Sequence, residues 1–400
     1  MGLKAVVLCS VGLLAGCQGG LMPTAATTGP ATFAAIAVVN QLPLDSALHG
    51  HNMAVSGCMG YVSLQSNLLP SKLARVNLCG ASGTSYSAAP VLLDETAGSY
   101  PVMNGITVNG SQLYVTYAWA TNPFEVWDAG SQTSAPKVLG CVSLFTVAGY
   151  AGCGAAASGY GSLLGSNPFV VGSDVYVAEN SDDAGQAVQV VDVTSPQAPV
   201  RLNTGSQGVT AGKSSGGAML AGIWAAGSGK TLYVATVDDV QVTDQPVTIT
   251  AYDTSANAVS PVQMGKALNV PEGFAVQSLA VTETTVVATL FDAATQASQV
   301  MVASFANPAA PSSASVAATQ GCGFESQNFI ALQGSYALMG CGMGTGIEVV
   351  DFSSLSAPVV MGEVGTTLNG VGFISPQGRY LYAVDQDGKL DTVDVGTVLE

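Results

Sequence analysis

Positive charge is scarce in this 400-residue chain: ten Lys and Arg stand against 26 Asp and Glu, a formal net charge of -16. A nucleic-acid binder neutralises phosphates with a basic face, so that class is excluded. Charged residues of both signs make up only 9% of the chain while 48% is hydrophobic, which excludes an intrinsically disordered protein. Histidine is nearly absent, with only His49 and His51, so a Ser-His-acid hydrolase would have to draw its base from these two, and no G-x-S-x-G elbow accompanies them. Beyond residue 16 every apolar run is cut short by Gly, Pro, Ser, Thr or Asp, which excludes a multispanning helical membrane protein. No C-x-x-C occurs, so a zinc ribbon, a thioredoxin-type dithiol and a c-type haem find no support. The stretches AGSGK (226–230) and TAGKSSGG (210–217) miss the phosphate-loop pattern and sit between expected strands.

What is present begins with a short address. Residues 1–16 carry one Lys and an apolar stretch from Ala5 to Ala15, as a secretory signal does, and Leu14, Ala15, Gly16 and Cys17 follow. That tetrapeptide resembles the bacterial lipobox, which implies cleavage before Cys17 and acylation of it, two or three chains giving stable anchoring. Gln18 stands where a lipoprotein retained at the inner membrane has Asp, so the resemblance implies an outer-membrane lipoprotein, facing the periplasm or the surface. Residues 17–31 are expected to be the lipidated Cys and a flexible tether, uncharged and rich in Gly, Thr, Ala and Pro. Residues 32–400 are expected to form a single domain.

Within that domain a short apolar strand ending in Asp recurs: FEVWD to Asp128, VQVVD to Asp192, ITAYD to Asp253, IEVVD to Asp351 and LDTVD to Asp394, with VMVAS to Ser304 and LARVN to Asn77 as variants. Pro follows most of them seven or eight residues later, at Pro136, Pro199, Pro261, Pro311 and Pro358. Upstream, a Gly lies four residues before a Tyr at Gly57, Gly110, Gly172, Gly229 and Gly378, and Gly334 precedes Leu338 in the same way. Each copy reads as four antiparallel strands, a to d. Gly turns the a–b hairpin, Asp caps the turn leaving strand c, and Pro sets φ before strand d. One such sheet cannot bury both faces, so copies must stack. The predicted fold class is all-β: a β-propeller of four-stranded antiparallel blades, seven preferred and six or eight as alternative counts. The last copy ends at Glu400 after strand c, so the ring is expected to close with an N-terminal strand, the run Phe33–Val39 being the natural donor. VQVVDVTSPQAP (188–199) and IEVVDFSSLSAP (347–358) resemble the LVIVD repeat, which implies an exported propeller whose motif residues are structural rather than catalytic.

The repeat phase pairs the cysteines left after Cys9 and Cys17. Cys58 lies in the first a–b turn and Cys79 follows the first strand c; Cys141 and Cys153 bracket the excursion after the second strand d; Cys322 and Cys341 fall at one end of the sixth copy. Three local disulfides are expected, each worth roughly 3 kcal/mol. The b–c and d–a connections share one face, on which gather Glu179, Asp182, Asp183, Asp238, Asp239, Asp244, Asp292, Asp385 and Asp387. This acidic rim is either a cation site or a docking face for a basic partner, or simply where a charge-poor protein keeps its charge. Asp385 and Asp387 in the turn DQDG, and His49 with His51, are the weak candidates for a divalent cation; no other cofactor is expected. The function expected is a lipid-anchored, non-catalytic binding or scaffold protein that meets a protein or glycan of the envelope through its acidic loop-rich face and touches the membrane by its anchor only. The alternative is an exported enzyme with a metal- or quinone-dependent site at the axial mouth. With nine cations left after the signal and two histidines, the net charge in acid cannot exceed about +11, so self-repulsion stays small and an acidic habitat is expected.

Overall fold

Seven Asp-type turns organise the molecule. The computed structural model describes residues 36–400 other than 66–69, 82, 101, 118–122, 132, 145–166, 179–187, 204–208, 210–221, 238–246, 293, 296, 319–328, 342–344, 397, 398 and 400. In it each strand c ends on a side chain that accepts the backbone N–H two residues on: Asn77 from Cys79, Asp128 from Gly130, Asp192 from Thr194, Asp253 from Ser255, Asp351 from Ser353 and Asp394 from Gly396, at 2.7–3.0 Å. Ser304 holds the place in the fifth copy at 3.5 Å to Ala306 N. In the first six copies strand d then starts on the residue directly after the expected proline, because Pro pre-sets φ and donates nothing to the ladder.

The result is a ring of seven antiparallel blades. Blade 1 runs His49–Ser56, Met59–Gln65, Lys72–Asn77 and Val91–Ala97; blade 2 runs Met103–Asn109, Gln112–Tyr117, Pro123–Asp128 and Lys137–Ser143. Blade 3 runs Phe169–Val171, Asp174–Ala178, Val188–Asp192 and Val200–Arg201; blade 4 runs Gly222–Ser228, Thr231–Val237, Thr248–Asp253 and Val262–Gln263, with Leu268–Asn269 also on its third strand. Blade 5 runs Ala275–Val281, Thr285–Asp292, Ala297–Ser304 and Ser312–Ala317; blade 6 runs Ile330–Gln333, Tyr336–Gly340, Thr345–Asp351 and Val359–Asn369. Blade 7 takes Val371–Gln377, Tyr380–Asp385 and Lys389–Asp394 from the C-terminal end and Val38–Pro43 from the N-terminal end. No helix occurs among the described residues. Six of the seven a–b hairpins turn on a glycine at φ of 54° to 62°, including Gly229 within AGSGK. The fifth instead closes Thr282 onto Thr285.

Seven apolar cores fill the seven gaps between neighbouring blades. This explains the sequence pattern: strands b and c are covered on both faces and read as apolar runs, as in TVVATLFD of blade 5, whereas outer strands alternate. The repeated tyrosines Tyr61, Tyr114, Tyr176, Tyr233 and Tyr382 are all buried in these gaps. The Tyr382 hydroxyl crosses to the blade 1 c–d loop, donating to Ser87 O at 2.7 Å and accepting from Ser87 N at 3.1 Å, so it stitches the ring closed from the second side.

The closing strand begins five residues later than the apolar run suggested and ends four later, at Val38–Pro43 rather than Phe33–Val39. An outer strand buries one face only, so the alternating VVNQLP suits it better than a continuous apolar run, and its end must reach Lys389, with which Pro43 pairs. Residues 1–16 and 17–31, with Cys17, lie outside the described residues.

Candidate functional site at the axial mouth

The seven first strands line the axis, and the ends from which they start converge on the face that carries the b–c and d–a connections. His51 and Asn52 stand one after the other in strand a of blade 1, inside the strand rather than ahead of it as the sequence suggested, because the ladder continues to His49 opposite Gln65. A bulge between Gly50 and Asn52 shifts the register there and turns His51 toward the neighbouring blades. Its Nε2–H donates to Asn104 Oδ1 of blade 2 at 3.2 Å, which leaves Nδ1 as the lone-pair nitrogen. Its ring meets Phe329, at the start of blade 6, edge to face with centroids 5.8 Å apart, and Phe329 in turn meets Phe373 of blade 7 at 5.3 Å.

Asn52, fully buried, donates through Nδ2 to Asn167 Oδ1 of blade 3 at 2.6 Å and to Asn104 O at 3.3 Å, while its own Oδ1 accepts from Met53 N. Asn167 Oδ1 also accepts from Ile106 N. One continuous set of contacts therefore crosses the axial end from blade 6 through blades 7, 1 and 2 to blade 3. Burial holds the His51 imidazole down to about 4, offset in part by Asn104, so it is neutral over most of the pH range. Chemically the mouth offers amides, a neutral imidazole and aromatic edges.

The other expected site residues are distributed as follows. Asp292 ends strand b of blade 5, where its carboxylate caps its own turn, accepting from Ala294 N and from the Thr295 N–H and hydroxyl, and these bonds hold it below the ordinary range. Glu179, Asp182, Asp183, Asp238, Asp239 and Asp244 lie outside the described residues. Asp385 is not on the rim: it ends strand b of blade 7, is 1% exposed, and accepts from Asp387 N and Lys389 N at 3.0 and 2.9 Å. It is drawn inward because the DQDG hairpin is tight, Gly388 taking φ of 70°, and folds its backbone donors onto that carboxylate. Asp387 alone points outward, ion-paired with Lys389 at 3.2 Å and accepting from Asn369 at 3.1 Å. His49 is exposed and donates Nδ1–H to Gln386 O at 2.7 Å, so it braces this hairpin and does not share a centre with His51. Among the described residues no three His, Cys, Asp or Glu side chains come together to hold a metal ion.

Cys58 and Cys79 form a disulfide with Cα atoms 5.3 Å apart. Cys141, which lies within strand d rather than beyond it, and Cys341 are also disulfide-bonded. Cys153 and Cys322, the partners expected from the sequence, lie outside the described residues.

A residue position missed in the sequence lies three before the turn Asp in strand c. Glu125, Gln189, Glu348 and Asp391 occupy it in blades 2, 3, 6 and 7, all buried. Glu125 Oε2 accepts from Tyr117 OH at 2.9 Å and Trp127 Nε1–H at 2.8 Å, and burial raises its carboxyl. In blade 7 the same two places, last of strand b and third of strand c, hold Asp385 and Asp391. Burial, then the adjacent Asp385 charge, push Asp391 up to about 7, and burial raises Asp385 too. The signal was available in FEVWD, VQVVD, IEVVD and LDTVD, each with a polar residue second in an otherwise apolar strand.

No family model matches the chain, and no curated protein matches it. Among solved structures, the computationally designed Ika8 protein is similar at 13% identity, the match covering 89% of this chain and 100% of that one with a TM-score of 0.48.

Proposed function

We propose that this protein is a lipid-anchored binding or scaffold propeller of the cell envelope, anchored at Cys17 and presenting the face of its b–c and d–a connections to a protein or glycan. One observation carries the reading: the motif residues are spent on the fold. Asp128, Asp192, Asp253, Asp351 and Asp394 each cap a turn, and the repeated tyrosines are buried between blades. A propeller fold alone hosts both catalysts and binders, and its closed ring offers a rigid face for display. The likeness of residues 188–199 and 347–358 to the LVIVD repeat agrees with an exported setting.

Photo-crosslinking in intact cells, followed by mass spectrometry of what is attached, tests the binding role; a defined protein or glycan crosslinked from the b–c face is the expected result. Metabolic labelling with an alkyne fatty acid tests the anchor: the label should enter the native chain and be lost in Cys17→Ala. The neutral His51 at the axial mouth favours one second reading, an exported enzyme using a metal or quinone there. Bound metal or a chromophore in the purified protein, lost in His51→Gln, would replace the first reading by the second.

A further inference from the structure

Blade 7 is the only blade built from both ends of the chain, and its two buried carboxyls lie at that seam. Asp391, wholly buried in strand c, is directly opposite Gln41 of the closing strand Val38–Pro43. Neither of its oxygens accepts a well-formed hydrogen bond, although the Asp385 carboxyl and the Gln41 side chain are its polar neighbours. Blade 2 shows what the position requires. There Tyr117 supplies a neutral O–H to Glu125 from the last place of strand b. In blade 7 that place holds Asp385, which has no hydrogen to give unless it, or its partner, is protonated.

We propose that closure of the ring is proton-gated: one proton shared between Asp385 and Asp391 does the work that the Tyr117 hydroxyl does in blade 2, and its loss releases the strand Val38–Pro43 from Lys389–Asp394. The charges around the pair are few. On the hairpin, Asp387 and Lys389 are ion-paired, and Lys389 favours the ionised form of both Asp385 and Asp391; from blade 1, His49 donates to the Gln386 carbonyl and acts on Asp387; from blade 6, the neutral Asn369 holds Asp387; from the closing strand comes the neutral Gln41. The facing side of blade 6 is apolar, with Ile347, Val364 and Leu368 in the shared core. Two full negative charges side by side in this dry gap cannot both be solvated, whereas a carboxylic acid donating to a carboxylate satisfies both groups. The cheapest way to admit water is to part the outer strand, which is hydrogen-bonded on one edge only and whose last tie is Leu44 N to Gly388 O at 3.0 Å.

The sign follows from a carboxyl raised in the folded state: closure is complete in acid, where the proton is held in both open and closed forms, and weakens as pH rises from the ordinary carboxyl range to about 7, above which the loss is complete. Hydrogen–deuterium exchange on the full chain at pH 5.5 and pH 8.5, corrected for intrinsic rates, reads this directly. Amides of residues 38–42 and 389–394 should lose about tenfold or more in protection at the higher pH, with those of blade 5 changing little. Asp391→Asn, which keeps the shape and carries its own donor, should abolish the difference; Asp385→Asn serves equally where Asp391→Asn does not fold. Infrared difference spectra between the two pH values should show a protonated carboxyl band that Asp391→Asn loses. Equal protection at both pH values overturns the proposal. So does a pH effect that survives in the Asn variant and disappears in His49→Gln, since the titrating group would then be an imidazole.

Discussion

Asn52 of the first blade reaches past the second blade to bond Asn167 of the third, Nδ2 to Oδ1 at 2.6 Å. The bond links the first strand of blade 1 to the residues leading into blade 3, which are not neighbours in the ring, so it pins the axial end rather than a single blade interface. Asn52→Ala removes it together with the bond to the buried Asn104 O, leaving Asn167 Oδ1 with Ile106 N as its remaining donor. The expected cost is about 2–3 kcal/mol, read as a lowered denaturation midpoint, with Asn52→Asp also destabilised because it presents an acceptor to acceptors. A variant as stable as the native protein would show that the axial amides are not a structural lock.

The turn aspartates make a graded prediction. Asp128→Ala, Asp253→Ala and Asp351→Ala each lose one side-chain bond to a backbone N–H two residues on. Each should cost about 1 kcal/mol in chemical denaturation, and the Asn variants should recover most of it, since Asn offers the same oxygen. Ser304→Asp, which converts the 3.5 Å contact of the fifth blade into the common arrangement, should be neutral or stabilising by a few tenths of a kcal/mol.

How far the fold could be read in advance has a physical explanation in these same turns. The Asp, the Pro seven or eight residues later and the Gly of the next hairpin are each set by local backbone geometry, so they repeat wherever the local geometry repeats, and the blade count followed from them. The closing strand did not repeat, because Val38–Pro43 enters blade 7 without a turn from strand c; only its outer, one-faced environment selects it. Asp391 and Glu125 stayed hidden for another reason: their partners, Asp385 and Tyr117, are set by cross-strand register, which a linear reading of the motif does not supply. The inward turn of Asp385 likewise depends on the folded hairpin, whereas its Asp-Gly sequence alone reads as a surface tip.

The buried carboxyl of blade 2 provides a probe of that register. Glu125→Ala leaves the Tyr117 hydroxyl and the Trp127 indole N–H without their shared acceptor in the gap between blades 1 and 2. A loss of about 2–4 kcal/mol is expected, accompanied by a change in Trp127 fluorescence; Glu125→Gln, which retains an acceptor oxygen, should lose less. Equal losses in both would mean that charge, not the acceptor, is what the site needs.

The Cys58–Cys79 bridge ties the first a–b turn to the end of the first strand c, enclosing a separation of 21 residues. Cys58→Ser should lower stability by roughly 3 kcal/mol without altering the blade, because Asn77, Leu78 and Gly80 hold the same turn by hydrogen bonds. Parallel denaturation of the native protein and the variant checks this, and unchanged stability would place the bridge outside the folding unit.

His51 gives the acid limb of the stability profile. Its folded value of about 4 lies below the ordinary 6.5, so the folded state binds the proton less readily than the unfolded chain. Its contribution is therefore fully present above pH 6.5 and is lost as pH falls toward 4, by at most about 3 kcal/mol. The Asp385–Asp391 pair acts with the opposite sign, losing stability as pH rises to about 7. Between about pH 4 and 6.5 the two slopes oppose one another, so the native profile should be nearly level there, and each limb is exposed only when the other group is removed. His51→Gln, which can still donate to Asn104, should therefore lose stability steadily as pH rises from about 4 to 7, and Asp391→Asn should lose it as pH falls from 6.5 toward 4. Profiles that stay level from pH 4 to pH 8 in both variants, followed by thermal unfolding, would show that neither group titrates while buried.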